Sequence, residues 1–193
     1  MVADRRYEVP DQPRIVARRR EYDCPWFKVV VKDVRYPGQT HERSFYSVQI
    51  NDWATVLAVD GEGRIPLVRQ YRPVIERMEL ELPAGAVHTA PPEDVARREL
   101  LEETGHQADE LVPLGSVFTE AGRLTSRAWV YFAPDARRVA EPAPPPNEPL
   151  ETVLVTPTEL RTLIETGEFA SGGHVAAVGL ALIHGVLTLP GAP

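Results

Sequence analysis

The sequence predicts an α+β fold, in which a mixed sheet lies between helices and an antiparallel hairpin precedes it. Two observations carry this. Short β-branched or apolar runs recur along the chain, separated by Gly, Pro and Asp turns, and only three segments carry convincing helix signals. Strands that outnumber helices in this way suggest a sheet with helices packed on its faces.

The elements follow in order. Residues 1 to about 20 are polar and arginine-rich and read as a weakly ordered arm. FKVVVKDVRY (27–36) is β-branched and reads as a strand; Pro37 and Gly38 supply a turn, and FYSVQI (45–50) returns. Residues 1–50 therefore form an arm and hairpin, and 51–193 the main domain. In WATVLAVDGEGRIPLVRQYR two apolar runs flank DGEG, which predicts a second hairpin. MELELPAGAV follows, with Glu79 and Glu81 alternating against Met78, Leu80 and Leu82. The clearest helix spans 91–104: Pro91 and Pro92 suit its first turn, Glu93 and Asp94 its positive end, and Gly105 its stop. GSVFTEAG, SRAWVYFAPDA and LETVLVT read as strands, with the rigid loop EPAPPPNEP before the last. Thr156, Pro157 and Glu159 form a helix start with a capping box, and a final helix covers about 173–187.

Composition bounds the function. The 193 residues carry a net charge of −7 and no basic tract, which argues against a nucleic-acid binder. The most apolar stretch, near the C-terminus, is too short to span a membrane, so no membrane partner is expected. Cys24 is the single cysteine and the N-terminus lacks the apolar core of a signal peptide, so the expected location is cytoplasmic.

The densest chemistry lies in RRELLEETG (97–105). Glu99, Glu102 and Glu103 are spaced i, i+3 and i+4, and so share a helix face. Three carboxylates on one face repel one another. The bland readings are a solvated acidic face or structural ion pairing with Arg97 and Arg98. The sharp one is a site for a hard cation, since Mg²⁺ takes oxygen ligands from carboxylates, water and phosphate.

The stretch Arg98-Glu99-Leu100-Leu101-Glu102-Glu103-Thr104-Gly105 resembles the second half of the Nudix box, G-x5-E-x7-R-E-U-x-E-E-x-G-U, where U is a bulky apolar residue. Only the last U departs, as His106. ELPAG (81–85) resembles the strand and turn that open the box, but Ala84 and Ala90 stand where its glycine and first glutamate are expected. Gly85 fits the glycine if the following loop is one residue short, and Glu93 is then the nearest glutamate. This departure bears on metal stoichiometry more than on the activity class. VRQYRP (68–73) ahead of ELPAG is similar to the branch that cleaves ADP-ribose and related nucleotide sugars.

The resemblance implies a Nudix-type α/β/α sandwich that hydrolyses the pyrophosphate bond of a nucleoside-diphosphate sugar with Mg²⁺ or Mn²⁺. It implies that Glu99, Glu102, Glu103 and the main chain at Ala84 hold the metal, with Arg98 orienting the glutamates. Arg72 becomes a candidate to bind the diphosphate through its paired donors. Glu81 either joins the metal shell or only pairs with an arginine. The water-activating base is Glu148 in the loop before the last strand, with Glu151 and Glu103 as alternatives. Trp26 is a candidate to stack on adenine, a contact worth about 1–3 kcal/mol per base. Arg123, in the loop 120–127, is a candidate to close the pocket near the sugar. In this branch the N-terminal strands commonly join a homodimer, which is the expected assembly. Rival readings are another sugar nucleotide or dinucleotide such as GDP-mannose, and a nucleotide-sensing domain without turnover. Trp53 and Trp129 read as core; His88, His106, His174 and His184 show no metal spacing and read as surface or core.

Overall fold

The computed structural model describes residues 12–145 and 148–190. Contacts divide the described chain at Ile50 into two units, and Glu120–Thr125 belongs with the first.

The first unit is an antiparallel sheet of order β1-β2-β3, formed by β1 (Arg14–Asp23), β2 (Lys28–Arg35) and β3 (Glu42–Gln49). The β2–β3 hairpin agrees with the sequence. The arm does not: Arg14–Asp23 is a strand laid along β2, with Arg18 opposite Lys32 and bulges near Val16 and Glu21. Every residue of β1 is exposed, so no buried alternation marks it; its order comes from the ladder to β2 and from the Arg19–Asp33 ion pair at 2.6 Å across it. Residues 1–11 of that arm lie outside the described residues. The segment Glu120–Thr125 docks on β3 through Val48, whose N–H donates to the Arg123 carbonyl at 2.7 Å.

The second unit is the predicted mixed sheet with helices. One sheet is built on β4 (Trp53–Asp60) and β10 (Arg127–Arg138), paired in parallel, with β7 (Ala84–Ala86) beyond β4. Two strands, β8 (His106–Gln107) and β9 (Val112–Phe118), pair with different stretches of β10. The other sheet has the order β11-β5-β6, from β5 (Ile65–Arg72), β6 (Arg77–Glu81) and β11 (Leu150–Val155). The expected β4–β5 hairpin is therefore corrected. The tight turn exists, because the Asp60 carboxylate accepts from the Glu62 and Arg64 amides at 2.9 and 2.8 Å. The strands leaving it diverge into separate sheets, since β4 takes β10 and β7 as partners and β5 takes β6 and β11.

The period of two along β4 builds two cores. Ala54, Val56 and Ala58 pack with Val95, Ala96 and Leu100 of α1 (Pro92–Thr104). On the opposite side Leu57 joins Leu160 of α2 (Pro157–Thr166) and Ala177, Val178 and Ala181 of α3 (Gly172–Ile183). Helices thus cover both faces. The capping box at α2 is complete: Thr156 and Glu159 bond reciprocally. The last helix ends near 183 rather than 187, where Gly185 turns left-handed at φ 70°. Among the described residues, no helix is long and apolar enough to cross a membrane.

Candidate active site

The site is built where α1 meets the Pro83–Ala86 turn. Pro83 is anchored by β4, its carbonyl accepting from Thr55 Oγ1 at 3.0 Å and the Val56 amide at 3.2 Å. The next residues form β7 against Trp53–Thr55. Two glutamates of α1 reach this turn. Glu103 Oε2 accepts from the Ala84 amide at 3.0 Å. Glu99 lies directly over Gly85: a Cβ at that position would stand 1.9 Å from Glu99 Oε1. A side chain at position 85 would have to push the Glu99 carboxylate aside, so the glycine lets Glu99 rest on the turn.

The three glutamates differ in setting. Arg98 holds Glu99 at 2.5 Å and Glu102 at 3.6 Å, and Glu102 remains the most exposed. Glu103 is buried. Burial pushes its carboxyl up to about 8, against the Ala84 amide that lowers it, and Glu99 and Glu81 add to the rise. A buried carboxyl whose ionisation is suppressed, with other acids beside it, suits a divalent cation, which relieves both the repulsion and the burial of charge. The oxygen donors and the Gly85 cradle therefore fit such an ion. In the present rotamers no three acidic, His or Cys side chains of the described residues converge on a single ion position.

Beside this cluster runs a cleft. A cavity of about 420 Å³ is lined by Asn51, Asp52, Trp53, Arg72, Glu81, Ala84, Gly85, Ala86, Ser171 and His174. A second, of about 540 Å³, shares Arg72, Glu81 and Ser171. Both volumes fall in the range of small-molecule sites. Between them Arg72 grips Glu81 with two donors: Nε reaches Oε1 at 2.9 Å and Nη2 engages Oε2. Burial works to raise the Glu81 carboxyl, but His174 and Arg72 hold it down at about 2.

Residues 51–176 match the NUDIX domain family. The chain belongs to the Nudix family. It is a Nudix hydrolase, an enzyme of the pyrophosphatase class. It is similar to the ADP-ribose pyrophosphatase of Bacillus subtilis (strain 168), 30% identical over 160 residues that cover 81% of this chain and 85% of that protein. It is 35% identical over 136 residues to the ADP-ribose pyrophosphatase of Mycobacterium tuberculosis, covering 69% of this chain and 65% of that protein. The GDP-mannose pyrophosphatase of Yersinia enterocolitica is 30% identical over 144 residues, 69% of this chain and 75% of that one. A solved ADP compounds hydrolase superposes with a TM-score of 0.76 at 22% identity, covering 90% of this chain and 94% of that one, and shows the fold.

Within this Nudix hydrolase the other expected residues scatter. Glu148 is exposed and pairs with no cation among the described residues, although its charge is felt by Arg72. Glu151 instead faces Arg69 at 3.4 Å across the β11–β5 ladder. Glu93, the glutamate nearest the missing box position, pairs with Arg97 at 3.0 Å. In the first unit Trp26 is 84% exposed between β1 and β2, and Arg123 joins β3 through its main chain.

Sequence reasoning passed over three contributors. Asp52 accepts from Trp129 Nε1 at 3.1 Å and from the Arg127 amide at 2.9 Å, which ties the cleft wall to β10. Glu79, expected on an alternating strand, is buried, caps the Ala170 and Ser171 amides at 2.9 and 3.1 Å, and pairs with Arg77. His174 is buried as a core histidine would be, yet its Nε2 lies 3.5 Å from Glu81 and its ring packs at a tilt against Trp53, centroids 5.0 Å apart. No metal spacing marked it; its place after Ser171-Gly172-Gly173, at a helix start, was the available signal. Its Nδ1 is buried with no hydrogen-bond partner among the described residues.

Proposed function

We propose that this Nudix hydrolase cleaves ADP-ribose, or a close nucleoside-diphosphate sugar, into a nucleoside monophosphate and a sugar phosphate. The observation that carries this reading is an arginine, Arg72, fixed by a buried carboxylate in a cleft that also contains the Ala84–Gly85 turn and its glutamates. A guanidinium presents paired donors to phosphate oxygens. The similarity to two ADP-ribose pyrophosphatases supports the choice of substrate.

Glu99, Glu102, Glu103 and the Ala84 main chain would hold Mg²⁺ or Mn²⁺. When bound, the cation supplies charge neutralisation to the pyrophosphate and acidifies the attacking water. Arg98 keeps Glu99 and Glu102 turned together, and Arg72 orients the diphosphate. Glu148 takes the proton from the water, being the loop carboxylate without a competing ion pair. Glu151 is occupied by Arg69, and Glu103 is held by the Ala84 amide. Water attacks one phosphorus, the bridging P–O bond breaks, and the leaving phosphate takes the electron pair. Trp26 and Arg123 would contribute to adenine and sugar recognition in a homodimer. A cytoplasmic location is the reading we favour from a chain with one cysteine.

The similarity to GDP-mannose pyrophosphatase favours a panel of substrates in the test. Purified protein with Mg²⁺ is mixed with ADP-ribose and with UDP-, GDP- and ADP-sugars, and nucleoside monophosphate is measured. Fast AMP release from ADP-ribose, abolished in Glu102→Gln with the fold intact, is the expected result. Preferred turnover of a GDP-sugar would replace the substrate. Saturable binding without cleavage, under Mg²⁺ and Mn²⁺ alike, would favour a sensor, which the alanine at position 90 would then explain.

A further inference from the structure

We infer that His174 is a positioning residue of this enzyme, bearing on the buried Glu81 carboxylate and so setting where Arg72 presents its guanidinium. The substrate consequence rests on the reading of Arg72 as the phosphate-binding arginine.

The geometry builds this in three steps. Glu79 and Glu81 are two apart on β6 and so point to one face. Glu79 accepts from the Ala170 and Ser171 amides, which pins the start of α3 to β6. That placement brings His174, in the first turn of α3, over the neighbouring Glu81, with Nε2 3.5 Å from Oε2. The same oxygen is engaged by Arg72 Nη2, so the imidazole and the guanidinium bear on one carboxylate from different elements.

Packing alone does not explain a histidine here. The ring sits between Trp53, at 5.0 Å, and Phe169, at 6.3 Å, and a phenylalanine would stack equally well. It would also avoid the buried Nδ1 that finds no partner. What phenylalanine cannot supply is Nε2 against Glu81. The wall around the ring is itself fitted. A Cβ at Gly173 would stand 2.5 Å from Trp53 Cζ2, so glycine there lets Trp53 hold the imidazole in place.

The test compares His174→Phe, His174→Gln and the wild type. Glutamine is the conservative variant, since its amide nitrogen reaches toward the position of Nε2. The first readout is solvent exchange of the Arg72 Nε proton by NMR, with the signal identified by its absence in Arg72→Lys. That proton is bonded to Glu81 at 2.9 Å in the wild type. Exchange should speed up about tenfold in His174→Phe and recover in His174→Gln. The second readout is kinetic. On whichever nucleotide sugar the wild type turns over fastest, KM should rise about tenfold in His174→Phe with kcat changed less than about twofold. Wild-type exchange of the Arg72 proton in His174→Phe overturns the inference. If Arg72→Lys leaves KM unchanged, the assignment of Arg72 to phosphate fails, and the exchange rates alone decide whether His174 positions it.

Discussion

Glu99, Glu102 and Glu103 are chemically identical and adjacent on one helix, yet the fold gives each a different state. Glu102 is half-exposed, Glu99 is pressed onto Gly85, and Glu103 is buried against Ala84. Glu103 carries a pH prediction. Its carboxyl is pushed from an ordinary 4.5 up to about 8, first by burial. The metal-free folded protein therefore holds a proton that the unfolded chain has lost between those values, and stability falls as pH rises. The contribution is fully present below about 4.5 and is lost as pH passes through about 8. Melting temperature of metal-free protein across that range should fall more steeply in the wild type than in Glu103→Gln; parallel curves would remove the assignment. The spacing of these acids was legible in the sequence, because a helix face follows from i, i+3 and i+4. The burial of Glu79 and Glu81 was not, because alternation on a strand conventionally sends charge to solvent and only their partners from 72, 77 and 170–174 make burial tolerable.

At the scale of elements, local chemistry was the most readable layer. The capping box of α2, the proline start and glycine stop of α1, and the hairpin β2–β3 all rest on residues within a few positions of one another. The capping box supports a direct prediction. Thr156→Ala removes the side-chain acceptor for the Glu159 amide and should cost about 1 kcal/mol. In a chain of this size that lowers the melting temperature by about 2–4 °C, measurable by calorimetry; an unchanged value would mean the cap carries no stability. Elements that depend on distant partners were read less well. β1 has no buried face and is held by its pairing to β2. β4 and β5 are joined by a true turn but not by a ladder, since a turn dictates reversal of direction and not which sheet each strand joins.

For the whole molecule, the family match spans 51–176, within the second unit and the short 120–125 segment, so the first 50 residues need their own explanation. Their sheet and its β1–β2 connection expose Ile15, Val16, Tyr22, Trp26, Phe27 and Tyr46. Large apolar side chains gathered on one small sheet are characteristic of an association surface. We predict a homodimer through this unit. Sedimentation equilibrium should return twice the 21.5 kDa chain mass, and Tyr46→Asp together with Val16→Asp should return the single mass. A monomer in the unaltered protein would refute the assembly and with it the expected role of Trp26.

The sequence by itself determined the α+β class, the glutamate helix, its opening turn and the hydrolase family, because each is written in residues close along the chain at fixed spacing. It also pointed to Arg72 through the short VRQYRP motif. Tertiary structure alone decided that Glu81 would clamp that arginine, that Glu151 would be taken by Arg69, and that His174 would lie against the site from a helix more than 90 residues away. The physical reason is that a spacing rule specifies which side chains share a face, whereas ion pairing and burial depend on which faces the packed sheets and helices bring together.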